Sequence, residues 1–359
     1  ISPFAEKHDT EETFNLETFK KIGELGVLGI TSDPKYGGAG MGALAASLVM
    51  EEFGRACPGL TLSYLAHSIL CVNNIENNAS TEQKEKYLPK LISGEHIGCM
   101  GMSEPEYGSD AVGIQTQAIK KGDHYRINGT KMWITNAQYS DIAYVYTRTG
   151  KERKNLSTFI IEKGMEGFSV GKPIHKMGMR GSPTGELIFD NAKVPTANLV
   201  GNEGDSIYHM MKNLELERIT ISGISLGIAQ ACVDACIKYV GERKQFGKNL
   251  AHYQMIQKMI AEMATETEML KRFLYTVAKE YDDGQIGALP AAMVKLQIPK
   301  MVTKIALDAI QIHGGYGYSR EFPVERLMRD NKLNEIGAGT NEVMIMIIAK
   351  NLLNEALSN

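Results

Sequence analysis

The chain has 359 residues, 43% of them hydrophobic and 23% charged, and carries a net charge of −3. Such a length suits two or three domains of roughly 100–200 residues each, and so even a charge balance leaves no footprint for nucleic acid or an anionic membrane surface. Uncharged apolar runs stay short of the roughly 18–20 residues of a membrane span, the five cysteines lack C-x-x-C spacing and read as reduced thiols, and the eight histidines stand singly, which argues against a metal site.

The chain opens at Ile1 without the Arg-rich stretch of a transit peptide or the apolar core of a signal peptide; a trimmed presequence and a late start fit this equally. From about residue 11 to 94 the apolar positions follow a helical period, as in Phe14, Phe19, Ile22, Leu25 and Leu28, then in 45–53 and 80–91. Ser80-Thr81-Glu82-Gln83 opens the last of these as an N-cap signal. From about 97 to 200 the period shortens: 124–135 reads as a hairpin turning at Asn128-Gly129, and 143–147, 157–162, 167–170 and 186–194 add further strands. Helical blocks return at 205–240, 253–281, 289–313 and 340–357. Helices, then strands, then helices predict an α+β protein with a helical domain at 1–97, a β-domain at 98–203 and a helical bundle at 204–359. The run Gly38-Ala39-Gly40-Met41-Gly42-Ala43 matches a dinucleotide fingerprint, but helical patterns flank it on both sides, so it reads as an interhelical loop.

Three clusters carry candidate chemistry. Met100-Gly101-Met102-Ser103-Glu104-Pro105 through Gly108-Ser109-Asp110 joins the helical and β zones; its small residues suit an anion or a flat ring, or a plain turn-rich junction. Trp133, the sole tryptophan, lies in Lys131-Met132-Trp133-Ile134-Thr135; it serves either as core or as a flank for a planar cofactor. Gln311-Ile312-His313-Gly314-Gly315-Tyr316 ends a helix on paired glycines, either a simple stop or a set of backbone donors for a diphosphate, and is followed by Phe322-Pro323 through Arg326 and Arg329-Asp330.

In order and spacing, S-E-P-x-x-G-S-D, M-W-I-T-N, Q-I-H-G-G-Y-G-Y and P-V-x-R-x-x-R-D together resemble the acyl-CoA dehydrogenase family over essentially the whole chain. The resemblance implies an FAD-dependent enzyme making 2-enoyl thioesters, built from an N-terminal helical domain, a middle β-domain and a C-terminal four-helix bundle. By that likeness Met100, Met102, Ser103, Gly108, Ser109, Trp133, Ile134 and Thr135 hold the flavin, with the Thr135 hydroxyl near its reactive edge and Ser109 also meeting the acyl-CoA. Arg243, Gln254, Gln311, Ile312, His313, Gly314 and Gly315 are expected to reach the FAD of a neighbouring subunit in a homotetramer, and Thr340, Asn341 and Glu342 are expected cofactor contacts as well. Electron transfer flavoprotein is the implied electron acceptor, and the mitochondrial matrix the implied location, or the cytoplasm for a bacterial source.

Most of the family carries its base in a Y-E-G-T motif, where this chain reads Gly337-Ala338-Gly339-Thr340, and Ala338 cannot take a proton. On a helical wheel Glu217 shares a face with Asn213, Leu214, Thr220, Ile221 and Ile224, a nearly uncharged setting that would raise its pKa toward neutrality. Glu215 points toward Lys212 and Arg218 and reads as solvated. Residues alone leave Glu217 open between a base and a partner for a cation of another helix. Leu214-Glu215-Leu216-Glu217-Arg218, with G-A-G-T, resembles a minority branch of the family whose base lies on this helix. That likeness implies that Glu217 removes the α-proton while flavin N5 takes the β-hydride, with Tyr208, Ser109, Glu215, Leu216, Glu217, Arg218, Ala338 and Gly339 around the substrate. The space beside Gly337 and Ala338 suits a short branched acyl-CoA such as isovaleryl-CoA. A long-chain dehydrogenase, an acyl-CoA oxidase and a catalytically silent acyl-CoA-binding protein are the alternatives.

Overall fold

Capping residues and glycines set the limits of the N-terminal helices, which a computed structural model of the protein, describing residues 1–357, resolves as α1 (Ala5–Thr10), α2 (Leu16–Glu24), α3 (Ala43–Ala56), α4 (Pro58–Leu65), α5 (Asn73–Asn78) and α6 (Thr81–Ile92). Asn15 caps α2 by accepting the Thr18 N–H at 3.0 Å, and Gly26 at φ 75° turns the chain away, so Leu25 ends outside the apolar stripe expected of it and is 74% exposed. Ser80 and Gln83 form a reciprocal capping box at the start of α6. Between α4 and α5 the helix widens into π turns over Ala66–Val72. The glycine run at 38–42 is a loop, as expected. Its Gly42 leaves room for the Asp282 carboxylate, which accepts the N–H groups of Ala43 and Leu44 at 2.5 and 3.0 Å and so caps α3.

The middle region is one eight-stranded sheet: β1 (Gly98–Gly101), β2 (Gln117–Lys121), β3 (His124–Thr135), β4 (Ile142–Arg148), β5 (Leu156–Glu162), β6 (Phe168–Val170), β7 (Thr184–Pro195) and β8 (Leu199–Val200). Its order is β6-β7-β3-β2-β4-β5-β8, with β1 lying parallel beside β4. The hairpin expected at Asn128-Gly129 is not there. Residues 124–135 form one continuous strand, and the chain reverses earlier, at Gly122-Asp123, where Lys121 pairs with His124. Asn128 instead accepts the Asn191 N–H at 2.8 Å across a register shift, and Gly129 is needed because a Cβ there would lie 2.5 Å from the Thr116 hydroxyl.

The C-terminal region comprises α7 (Ser206–Glu242), the small hairpin β9 (Lys244–Gln245) and β10 (Lys248–Asn249), α8 (Gln254–Asp282), α9 (Ala288–His313), α10 (Val324–Asn334) and α11 (Asn341–Leu357). Helix α10 was not foreseen. Its Arg329 pairs with Asp9 and Glu325, each at 2.7 Å, tying this helix to α1. Helix α7 is, among the described residues, the one helix long and apolar enough in length and composition to cross a membrane, although its uncharged run, 219–233, stays short of a span as expected. Its apolar surface is instead buried against α3, α8 and α9.

Candidate active site

Two short segments of the β-domain are stitched together by one buried ion pair. Lys131 on β3 has no exposed surface; its Nζ donates to the Met102 carbonyl at 3.1 Å and to Glu104 at 2.7 Å. Burial alone would raise the Glu104 carboxyl, but the Lys131 charge and hydrogen bond and the donors at Thr116 and Gln115 hold it below the ordinary value. Burial in turn pulls Lys131 down to about 8, with Glu104 opposing, so both remain charged near neutrality. The Met132 N–H donates to the Ser103 carbonyl at 2.9 Å, which brings Met100, Met102 and Ser103 beside Trp133, Ile134 and Thr135. Gly108 and Ser109 continue this edge at the surface.

A bulge then turns Trp133 outward. Lys131 stands opposite Leu187 and Ile134 opposite Gly185, so β3 carries one residue more than β7 over this interval. Trp133 takes φ 65° and is 58% exposed, while Ile134 is buried and Thr135 is half-buried opposite Thr184. A tryptophan held in left-handed backbone with its ring outside is not a core residue. It is a flat apolar surface open to solvent.

On α7, Asn213 donates to the Ile69 carbonyl at 2.9 Å, a backbone acceptor within the π-helical stretch, and to Asn73 at 3.3 Å. One turn on, Glu217 is 6% exposed and no side-chain hydrogen bond holds it among the described residues. Burial raises its carboxyl to about 7, against the pull of Arg218 and of Lys295 on α9, while Tyr146 of β4 also faces it. Leu216 and Arg218 are buried too, and the Arg218 Nε has no acceptor among the described residues. Glu215 is less solvated than its sequence setting suggests: it is half-buried, and burial raises its carboxyl despite Arg218 and Lys212. Tyr208, two and a half turns before Glu217, is 79% exposed.

On the turn before α11, Ala338 and Gly339 take left-handed backbone, φ 56° and 92°, and the Lys295 Nζ donates to the Gly339 carbonyl. The Ala338 N–H has no acceptor within the chain among the described residues. A Cβ on Gly337 would meet Leu333 no closer than 3.5 Å, so space adjoins the turn. Thr340 opens α11 by accepting the Val343 N–H at 3.3 Å; Asn341 donates to Glu335 at 3.1 Å and Glu342 is exposed.

A third group of expected residues lies apart, at the far end of the bundle. Arg243 sits over the Tyr316 ring at 5.2 Å, and His313 stacks on Tyr239 at 4.2 Å. Gln254, Gln311, Gly314 and Gly315 are exposed, Ile312 and His313 buried, and nothing lies within 4 Å in front of either glycine.

This assembly coincides with what other proteins share. Models of the acyl-CoA dehydrogenase N-terminal, middle and C-terminal domains match residues 1–95, 99–192 and 204–353. The chain belongs to the acyl-CoA dehydrogenase family. It is 47% identical over 98% of its length to the mitochondrial isovaleryl-CoA dehydrogenase of Pongo abelii, of which it covers 84%, and 41% identical over 98% of its length to a 2-methylacyl-CoA dehydrogenase of Solanum tuberosum, of which it covers 86%. The structure of a glutaryl-CoA dehydrogenase with glutaryl-CoA superposes with a TM-score of 0.95 at 39% identity, over 99% of this chain and 91% of that one. As a member of the acyl-CoA dehydrogenase family the chain is an FAD-dependent acyl-CoA dehydrogenase.

The residues present fit that cofactor and substrate. An outward tryptophan at a bulge, an Ala338 N–H without an acceptor and an unpartnered Arg218 Nε are groups that no other described residue satisfies. Sequence reasoning missed Lys131, Glu104, Tyr146 and Lys295. For Lys295 a signal exists: it is a lone lysine among Ala291, Ala292, Val294 and Ile298 on the apolar face of α9.

Proposed function

We propose that this enzyme oxidises a short branched acyl-CoA, isovaleryl-CoA to 3-methylcrotonyl-CoA, as a step of leucine breakdown, with Glu217 as the base. One observation carries the reading: Glu217 is buried, its carboxyl is raised to about 7, and it interacts with Lys295, whose Nζ donates to the Gly339 carbonyl beside Ala338. A carboxylate poised near pH 7 is matched to removing an α-proton whose acidity the thioester supplies. FAD, when bound, accepts the hydride that leaves Cβ. The Ala338 N–H, without an acceptor among the described residues, would donate to the thioester oxygen as negative charge builds there, a role that needs only backbone and so survives alanine at this position. Ser109, Tyr208 and Glu215 would then line the path of the CoA, and the space beside Gly337 would take the branching methyl. Kinship with isovaleryl- and 2-methylacyl-CoA dehydrogenases supports branched substrates.

The distant group supports a shared flavin site. Arg243, the residue that ends α7, lies 26 residues beyond Glu217, about 39 Å at 1.5 Å per residue, too far to share a site with it, and we read it as serving a partner's FAD in a homotetramer built as a dimer of dimers. Electron transfer flavoprotein would take the electrons, in the mitochondrial matrix.

Glu217→Gln tests the assignment. The variant should keep its FAD and bind isovaleryl-CoA yet lose anaerobic flavin bleaching by roughly 10²–10⁴-fold. Bleaching at the parental rate would overturn Glu217 as the base. A chain-length series in the parent enzyme separates branched short-chain from long-chain preference, and steady peroxide formation would mark an oxidase.

A further inference from the structure

Lys295 stands in the middle of α9 with none of its surface exposed, on a face otherwise built of alanine, valine and isoleucine. An ammonium in such a place is costly unless something holds it. Its hydrogen-bond partner among the described residues is the Gly339 carbonyl. No carboxylate bonds to it directly. The charges that act on it are those of Glu217 and Arg218 on α7, Glu335 at the end of α10 and Glu342 in the first turn of α11; Glu217 in turn acts on Tyr146 of β4.

We propose that Lys295 is a positioning residue of the dehydrogenation: it clamps the Gly339 carbonyl so that the neighbouring Ala338 N–H faces the thioester oxygen, and it sets a positive charge opposite Glu217. The inference rests on Glu217 being the base. The turn it clamps needs an anchor, because Ala338 occupies left-handed backbone that disfavours a residue with a Cβ. The charge has a second use. During proton transfer the negative charge leaves the Glu217 carboxylate and appears on the thioester oxygen at the Ala338 N–H. Lys295 borders both ends of that shift, so the cation is close to the negative charge before and after the step. Burial pulls Lys295 down to about 8 while Glu217 opposes, which leaves it protonated at neutral pH.

Three substitutions in the FAD-loaded enzyme separate the two roles. Lys295→Met removes donor and charge, Lys295→Gln keeps a donor without charge, and Lys295→Arg keeps the charge. Two readouts are taken: the pH profile of single-turnover flavin reduction by isovaleryl-CoA, and the carbonyl stretch of 3-methylcrotonyl-CoA bound to the oxidised enzyme. In Lys295→Met the acid limb of the profile should move up by about one pH unit, because a cation that favours ionised Glu217 is gone. Its carbonyl stretch should relax toward that of free thioester. Lys295→Gln should show the shifted limb with the carbonyl still polarised, and Lys295→Arg should keep the parental limb. A Met variant that loads FAD and leaves both readouts at parental values overturns the proposal, as does a slower enzyme in which neither moves. If only Lys295→Arg accumulates as holoenzyme, a displaced acid limb in that variant overturns it and an unmoved limb supports it. Failure of Glu217 as the base is a separate result, read in Glu217→Gln; the carbonyl stretch does not depend on it.

Discussion

Glu217 illustrates how a residue is poised for chemistry at the expense of stability. Its folded carboxyl titrates near 7 against an ordinary 4.5 because burial disfavours the charged form. A raised carboxyl stabilises the folded protein below the ordinary value, and that contribution is lost as pH climbs through 7, where the buried group must ionise. The difference corresponds to about 3 kcal/mol, an upper figure since Lys295 loses a facing charge when Glu217 is replaced. Glu217→Gln should therefore be more stable than the parent at pH 8 and nearly equal to it at pH 5. Urea midpoints of the two proteins at both pH values check this; a gain of the same size at both would show that the carboxyl is not titrating in the folded state. The catalytic and stability effects of the one substitution are expected to have opposite signs.

Among the elements, glycines and bulges decide what the periodicity leaves open. Gly42 in the fingerprint-like loop exists because the Asp282 carboxylate sits where its Cβ would go, 2.3 Å from the carboxyl carbon, and caps α3 from α8. Asp282→Ala should cost about 1–2 kcal/mol, seen as a lower urea midpoint with FAD content unchanged. A loss of FAD would mean that this cap reaches the active site, which lies on other elements. The long helices α7, α8, α9 and α11 were legible because each carries a sustained 3.6-residue pattern, and Glu217 because an acid on an uncharged face is an anomaly within a single helix. The hairpin was misread because Asn-Gly is also what a bulge next to a crowded neighbour requires, and Thr116, the neighbour in question, lies 13 residues away in sequence. Trp133 stayed ambiguous for the same reason: its outward turn depends on a register difference between β3 and β7 that neither strand's sequence shows alone. Lys295 stood out in sequence only as a lone lysine on an apolar face, and Lys131 not at all, because their partners, Gly339 and Glu104, are brought to them by tertiary folding.

For the molecule as a whole, the proposed flavin cradle is on the β-domain, the proposed base on α7 and the proposed thioester donor on the turn before α11, while Arg243, just past the end of α7, stands about 39 Å along that helix from Glu217. If that far group completes the FAD site of a second subunit, then no subunit alone holds a full site, and two defective chains should repair each other. The pair to combine is Trp133→Ala, which removes the cradle's flat surface, and Arg243→Ala, which removes the reach across the interface. Each alone should yield a homo-oligomer poor in FAD. In a mixed dimer, one site would join the damaged cradle to the missing arginine and stay empty. The other would join an intact cradle to an intact arginine and fill. Co-expression with two different affinity tags and purification of the mixed species should thus recover flavin well above either parent variant, up to about half the parental content, read from the absorbance of bound FAD. Were Arg243 to act on its own chain's flavin, both sites of the mixed dimer would carry one defect, and the flavin content would be no higher than in either parent variant.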